Sequence, residues 1–284
     1  MFKIGLSTTG FLLTDENFKA LRASGIQAVE ISMKADRYPD INYQEVKALA
    51  DRYGIELWSY HLPFGPFSVI DPSSLDAGIR AHTLDYFKEL IERASEIGIN
   101  KFVVHASGEP IPPEDRAARM QYSKATLNEL AEFAHAHGAV IAVEDLPRTC
   151  LGNSSADILE LLDANDKLRV CFDTNHLLEE DNLHFLQAVG DKIITLHVSD
   201  YDFLNERHWL PGEGKQDWNA LYRAIKEIGY QGPWMYEIGL DCPKTILRDR
   251  PLTFGDFVQN AAAIFAQNTP PLLGTPVEGL VSWK

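Results

Sequence analysis

The chain has 284 residues, 45% of them hydrophobic, and a formal net charge of −15. That composition supplies a sizeable core and excludes a disordered chain, and the length suits one large α/β domain. The acidic balance, without any cluster of Lys or Arg, argues against nucleic-acid binding, which needs a basic footprint. No apolar stretch approaches the roughly 18–20 residues needed to cross a bilayer. The opening MFKIGLSTTG reads as a first strand, so no signal peptide is expected. Three cysteines (Cys150, Cys171 and Cys242) are odd in number and lack a C-x-x-C pair, which suits a reducing cytoplasm. Cys171 lies inside an apolar run and reads as a small core residue.

In chain order, short apolar runs alternate with amphipathic segments. The runs read as strands ending near Ser7, Ser32, His61, His105, Glu144, Asp173, His197 and Glu237. Apolar runs of 4–6 residues bounded by loops are typical of parallel strands buried on both faces. Between them, Asn42 and Glu45 (N-x-x-E) predict a capped helix to Tyr53. Ser73 or Ser74 opens a long helix ending near Gly98, and Pro113 opens another ending near Gly138. Shorter helices are predicted over Ser155–Ala164, Glu180–Val189 and Trp218–Ile228, and Thr253 caps a last one through Gln267. Eight such repeats imply an α/β fold closed as a (β/α)8 TIM barrel, a single domain over residues 1–268. The Pro- and Gly-rich tail, 269–284, is expected to be a surface strap or an oligomer contact. An open doubly wound sheet would need a Gly-rich phosphate turn after the first strand, and STTGFLLT is a poor match.

Metal-type side chains recur at the C-terminal ends of these strands, the rim at which barrels of this kind carry their active sites. Glu144, Asp173, His197 and Glu237 each close a different strand. One such Glu alone is ordinarily a capping or salt-bridge residue. Four in register are another matter, because burying them without a metal or partners would cost several kcal/mol, on the order of that for any unpaired buried ion. Three carboxylates and one imidazole form a hard site, suited to one divalent ion: Mn²⁺, Mg²⁺ or Co²⁺, with Zn²⁺ also compatible.

The segments AVEDLP, CFDTNH, LHVSD, RHWLPGEGKQDW and GYQGPWMYEIG, spread over nearly the whole chain, resemble the sugar phosphate isomerase/epimerase family. That family belongs to the xylose isomerase-like barrels, which also include endonuclease IV-type enzymes. The resemblance implies that Glu144, Asp173, His197 and Glu237 are the metal ligands, and that Glu144 and Glu237 double as catalytic acid and base. A metal holding neighbouring oxygens of a hydroxy-carbonyl substrate acidifies the adjacent C–H. One glutamate would take that proton, giving a metal-bound cis-enediolate, and the other would return one. A sugar, a sugar phosphate or a related polyol keto compound is then the expected substrate. A hydride shift is the other mechanism available on this fold.

His61, His105, His176 and His208 are expected to meet substrate, and in the endonuclease relatives similar histidines hold additional zinc ions. Arg207 could meet a substrate phosphate; Arg207 and Lys215, in the loop after the seventh strand, read as solvated on residue type alone. Trp58, Phe64, Phe67 and Trp209 are candidates for stacking on a sugar face. His82, His135, His137 and His184 fall on helices and read as solvated. The rival function is a multi-zinc phosphodiesterase acting on abasic DNA, against which stand the acidic charge and Glu206, where the endonuclease pattern would have an aspartate. The resemblance further implies a homodimer or homotetramer, while the lack of an apolar span and the cysteine pattern lead us to expect no membrane partner and a cytoplasmic location.

Overall fold

The computed structural model describes residues 1–277 and residue 279. Eight short strands form one parallel sheet: β1 (Ile4–Ser7), β2 (Ala28–Ile31), β3 (Glu56–His61), β4 (Lys101–His105), β5 (Val140–Glu144), β6 (Arg169–Asp173), β7 (Ile193–His197) and β8 (Trp234–Tyr236). Each strand pairs with the next, β8 pairs with β1, and a parallel bridge between Val198 and Tyr236 completes the ring. The helices are α1 (Asp15–Ser24), α2 (Tyr43–Tyr53), α3 (Ala77–Ser95), α4 (Arg116–Ala136), α5 (Ser155–Leu162), α6 (Asn182–Val189), α7 (Trp218–Glu227) and α8 (Phe254–Phe265). The chain is therefore a single-domain TIM barrel, as the strand count predicted. No helix among the described residues is long and apolar enough to cross a membrane.

Helix starts follow side-chain chemistry closely. Thr14, Asn42, Asp76, Ser154, Asp181 and Asp217 each accept an N–H from the first turn of the helix they precede. Two expected starts move accordingly. The long third helix begins at Ala77 under Asp76, because Ser74 spends its hydroxyl on the Asp76 N–H instead. The sixth begins at Asn182 under Asp181, while Glu180 turns back to Ser155.

Strand alternation positions the site. Side chains two apart on a strand share a face, and Val103, Ala142 and Cys171 pack together as a small apolar layer separate from the main core. Two residues further along the same strands stand His105, Glu144 and Asp173. Register places His105 opposite Glu144, and Asp173 opposite His197. The polar rim is thus the layer directly above an interior filled with small side chains.

The tail reaches back over the barrel. Gly274–Pro276 (β10) pairs antiparallel with Ile246–Arg248 (β9), in the connection between β8 and α8. Residues 278 and 280–284, the end of the predicted tail, lie outside the described residues.

Candidate active site at the C-terminal rim

Glu144 is the hub of the rim. Its Oε1 lies 2.8 Å from His197 Nδ1, and its Oε2 lies 3.1 Å from both His61 Nε2 and His105 Nε2. One ligand atom each from Glu144, Asp173, His197 and Glu237 falls within 4.8 Å of the others. Four further groups meet the same distance: His61, His105 and Glu144; His176, Glu206 and His208; His61, His197 and Glu237; and Glu144, Cys171 and His197. The structure brings together every residue expected as a ligand, and four of the five expected as substrate contacts.

The hydrogen bonding says what this cluster lacks. His61 directs Nδ1 at the Leu62 carbonyl, 2.7 Å away, and His176 directs Nδ1 at the Asp145 carbonyl, 2.8 Å away. Each Nδ1 must carry its proton to donate, which turns a lone pair on Nε2 toward carboxylates in the neutral ring. For His176 those are Asp173 Oδ2 at 3.7 Å and Glu206 Oε2 at 3.6 Å. Asp173 Oδ2 is buried and has no hydrogen-bond partner. Lone pairs facing carboxylates require either protonated imidazoles or a cation between them. The donor set therefore fits a divalent ion, and the outward N–H contacts are those that orient metal-binding histidines.

The titration of the cluster reflects burial set against close opposite charges. Burial drives the Asp173 carboxyl up to about 6. Burial opposes charge on His176, yet Asp173, Glu144 and Glu206 outweigh it and push the imidazole to about 10. Burial likewise works against ionised Glu144, but His197 and His105 pull that carboxyl well below the usual range.

Several contributors were not singled out in the sequence. Glu30 on β2 is fully buried, lies 2.8 Å from His197 Nε2 and accepts the Ser59 hydroxyl at 2.8 Å. Its signal was present: a carboxylate inside the apolar run AVEI is costly to bury without a partner. Asp145 accepts the Asp173 backbone N–H at 2.7 Å and so braces the strand end beside its neighbour Glu144.

Three expected contacts are corrected. Arg207 is buried, with Nε and Nη2 on Asp202 at 3.0 and 2.9 Å, and its backbone N–H donates to Asn175; it organises the loop rather than lining the cavity. Trp209 is buried with its indole N–H on Thr245. Trp58 lies at the opposite, N-terminal end, bonded to Thr195 under the Lys101 ammonium. Phe64 and Phe67 do line the rim cavity, and Phe64 stacks on His105 with ring centroids 4.5 Å apart. Two cations line that cavity: Lys34, which is exposed, and Arg148, held by Glu109, Asn205 and Glu206. His82, His135, His137 and His184 are exposed on their helices or helix ends.

A family model, the xylose isomerase-like TIM barrel, matches residues 18–252. The chain belongs to that family. Among xylose isomerase-like relatives, a D-psicose 3-epimerase of Ruminiclostridium cellulolyticum is 28% identical over 70% of this chain and 69% of its own. A fructoselysine 3-epimerase of Shigella flexneri is 26% identical over 66% of this chain and 70% of its own. The crystal structure of a D-tagatose 3-epimerase-like protein superposes with a TM-score of 0.75 at 24% identity, covering 84% of this chain and 91% of that one. That likeness carries the fold.

Proposed function

We propose that the protein is a divalent-metal-dependent isomerase or epimerase acting on a hydroxy-ketone of the sugar class. The observation that carries this reading is the approach of Glu144 and Glu237, from strand ends on either side of His197, with Asp173 in the same cluster. The 3-epimerase names of the relatives support it. Mn²⁺, Mg²⁺ or Co²⁺ suits the three carboxylates and one imidazole, and Zn²⁺ is also compatible. When bound, the ion supplies the positive charge that acidifies a C–H beside the substrate carbonyl.

The chain's own groups do the rest. One of the two glutamates takes the C–H proton, leaving a cis-enediolate, and the other returns a proton to the opposite face or the adjacent carbon. His61 and His105 hold Glu144 Oε2 in place, and Glu30 fixes the ring of His197. His176, His208 and His105 face the space where substrate hydroxyls would bind.

The test is solvent exchange. Metal-loaded protein in D₂O with ketoses should introduce deuterium beside the carbonyl, followed by proton NMR. Glu144→Gln and Glu237→Gln should each cut the rate by at least about a hundredfold, the typical yield of positioned acid–base catalysis. Product formed without deuterium would replace proton transfer with a hydride shift.

A second reading rests on two of the other groups of possible ligands, His61/His105/Glu144 and His176/Glu206/His208. Several metal ions held there would suit phosphodiester cleavage. Three ions per chain by elemental analysis, with cleavage of abasic DNA, would favour it. The net charge of −15 speaks against a DNA substrate.

A further inference from the structure

The rim cavity is larger and more apolar than a free sugar needs. It has a volume of about 840 Å³ and meets the carboxylate cluster at His105 and His176. Pockets of about 300–1,000 Å³ hold drug-sized ligands, whereas a free hexose has only about twelve heavy atoms. Phe64, Phe67, Pro110, Leu146 and Cys150 give the cavity a broad apolar face, beside which Lys34, Glu109, Arg148 and Glu206 supply its charges. Phe64 and Phe67 leave 49% and 37% of their surface exposed, and Leu146 and Cys150 form a buried floor. Phe67 is seated against Gly108, where a Cβ would come within 2.7 Å of its ring, so the aromatic wall has a fitted support.

The charges in the cavity discriminate further. Arg148 is the guanidinium that lines it, and it is already engaged. Glu109 takes its Nε at 2.9 Å and its Nη2 at 2.5 Å, Glu206 lies 3.2 Å from Nη2, and Asn205 accepts from Nη1 at 2.7 Å. Two carboxylates on one guanidinium leave the group net negative. A phosphate entering here would meet like charge and would have to displace an existing bidentate partner.

We infer that the substrate is an unphosphorylated keto sugar bearing an apolar substituent, which lies against Phe64 and Phe67 while the reacting carbons face Glu144 and Glu237. The inference rests on the isomerase/epimerase reading above and adds the substrate class. Aromatic surface suits such a group, whereas a phosphate ester would find Arg148 engaged and, of the lysines and arginines lining the cavity, only the solvent-exposed Lys34 to pair with, a weak contact.

The experiment uses two series, D-fructose and D-tagatose, each as the free ketose, the 1- and 6-phosphates, and the 1-O- and 6-O-benzyl ethers. Deuterium exchange with the metal-loaded protein gives kcat/KM for each. A benzyl ether at one of the two positions should exceed the free ketose by about tenfold or more, as burial of an aromatic group allows. Both phosphates should fall below it. Phe67→Ala should lower the ratio of benzyl ether to free ketose. Glu109→Gln, which takes a charge off Arg148, should raise the phosphates relative to the free ketose. Phosphates matching or exceeding the benzyl ethers would overturn the inference and leave the epimerase reading standing, as would a free ketose equal to both ethers. Absence of exchange or product throughout both series overturns the epimerase reading and this inference with it.

Discussion

Glu30 and His197 meet 2.8 Å apart across the barrel interior, although 167 residues separate them. The contact fixes which nitrogen of His197 is left for the cluster: with Nε2–H on Glu30, Nδ1 faces Glu144. A carboxylate in that position also raises the basicity of the ring. Glu30→Gln keeps the shape and removes the charge, so metal affinity should fall by about 10–100-fold. Titration calorimetry with Mn²⁺ checks it, and an unchanged Kd would show that Glu30 does not tune the ligand.

Metal removal should be visible without any substrate. The rim confines three carboxylates and one imidazole with ligand atoms within 4.8 Å of one another, and Asp173 Oδ2 among them is buried without a hydrogen-bond partner. An ion present at 100 times its Kd stabilises the fold by about 2.7 kcal/mol. For a chain of this size that corresponds to a melting temperature higher by roughly 5–10 °C. Differential scanning calorimetry before and after chelation reads it directly; coincident transitions would count against a divalent ion at the rim.

The β9–α8 side of the rim depends on a buried ion pair. Arg248 donates to Glu213 through Nε at 2.9 Å and Nη2 at 2.6 Å, with both side chains shielded from solvent. Glu213 in turn accepts the Leu210 N–H, in the loop that carries His208. Arg248→Met leaves the carboxylate buried and unpaired, which should cost about 3–5 kcal/mol. Urea unfolding provides the number, and a loss under about 1 kcal/mol would mean the loop relaxes to let water reach Glu213.

Asp256, at the start of α8, offers a pH test away from the rim. Arg250 and the Thr253 backbone N–H and hydroxyl hold its carboxyl down at about 2, against an ordinary value near 3.8. The folded value lies below the unfolded one, so the stabilisation is complete above about pH 4 and disappears as pH falls through about 2. Arg250 is half exposed, and solvent screening trims the contribution to about 1–2 kcal/mol. Asp256→Asn should therefore destabilise by that amount at pH 7, with the gap to wild type closing in acid. A gap independent of pH would remove the ionic explanation.

The barrel and most of its rim were readable because short continuous apolar runs mark strands buried on both faces, and a polar side chain marks where each run ends. Glu144, Asp173 and His197 are the last residues of their strands, and Glu237 directly follows β8, where an apolar run gives way to a polar side chain. Glu30 escaped because it stands one residue before the end of its strand, and strand 2 was read through to Ser32. Arg207 and Arg148 show the opposite limit. They are equivalent on residue type, and their roles are set by loop geometry: Arg207 pairs with Asp202 five residues away, whereas Arg148 reaches Glu109 and Glu206 on two other loops. Trp58 was misassigned to the rim for a simpler reason. It lies three residues before His61, toward the N-terminal end of β3, where a register shift against β2 sends its indole to Thr195 at the opposite end of the barrel from the rim.

The pairing of β1 with β8 carries a consequence for biosynthesis. Gly5 and Leu6 pair with β2 soon after it is made, but their other neighbours arrive only when Trp234–Tyr236 emerge. Glu30 likewise waits for His197, and the carboxylate hub waits for Glu237. Glu144, Asp173 and His197 are thus made before their fourth companion, and the proposed site is complete only once the eighth strand has joined the ring.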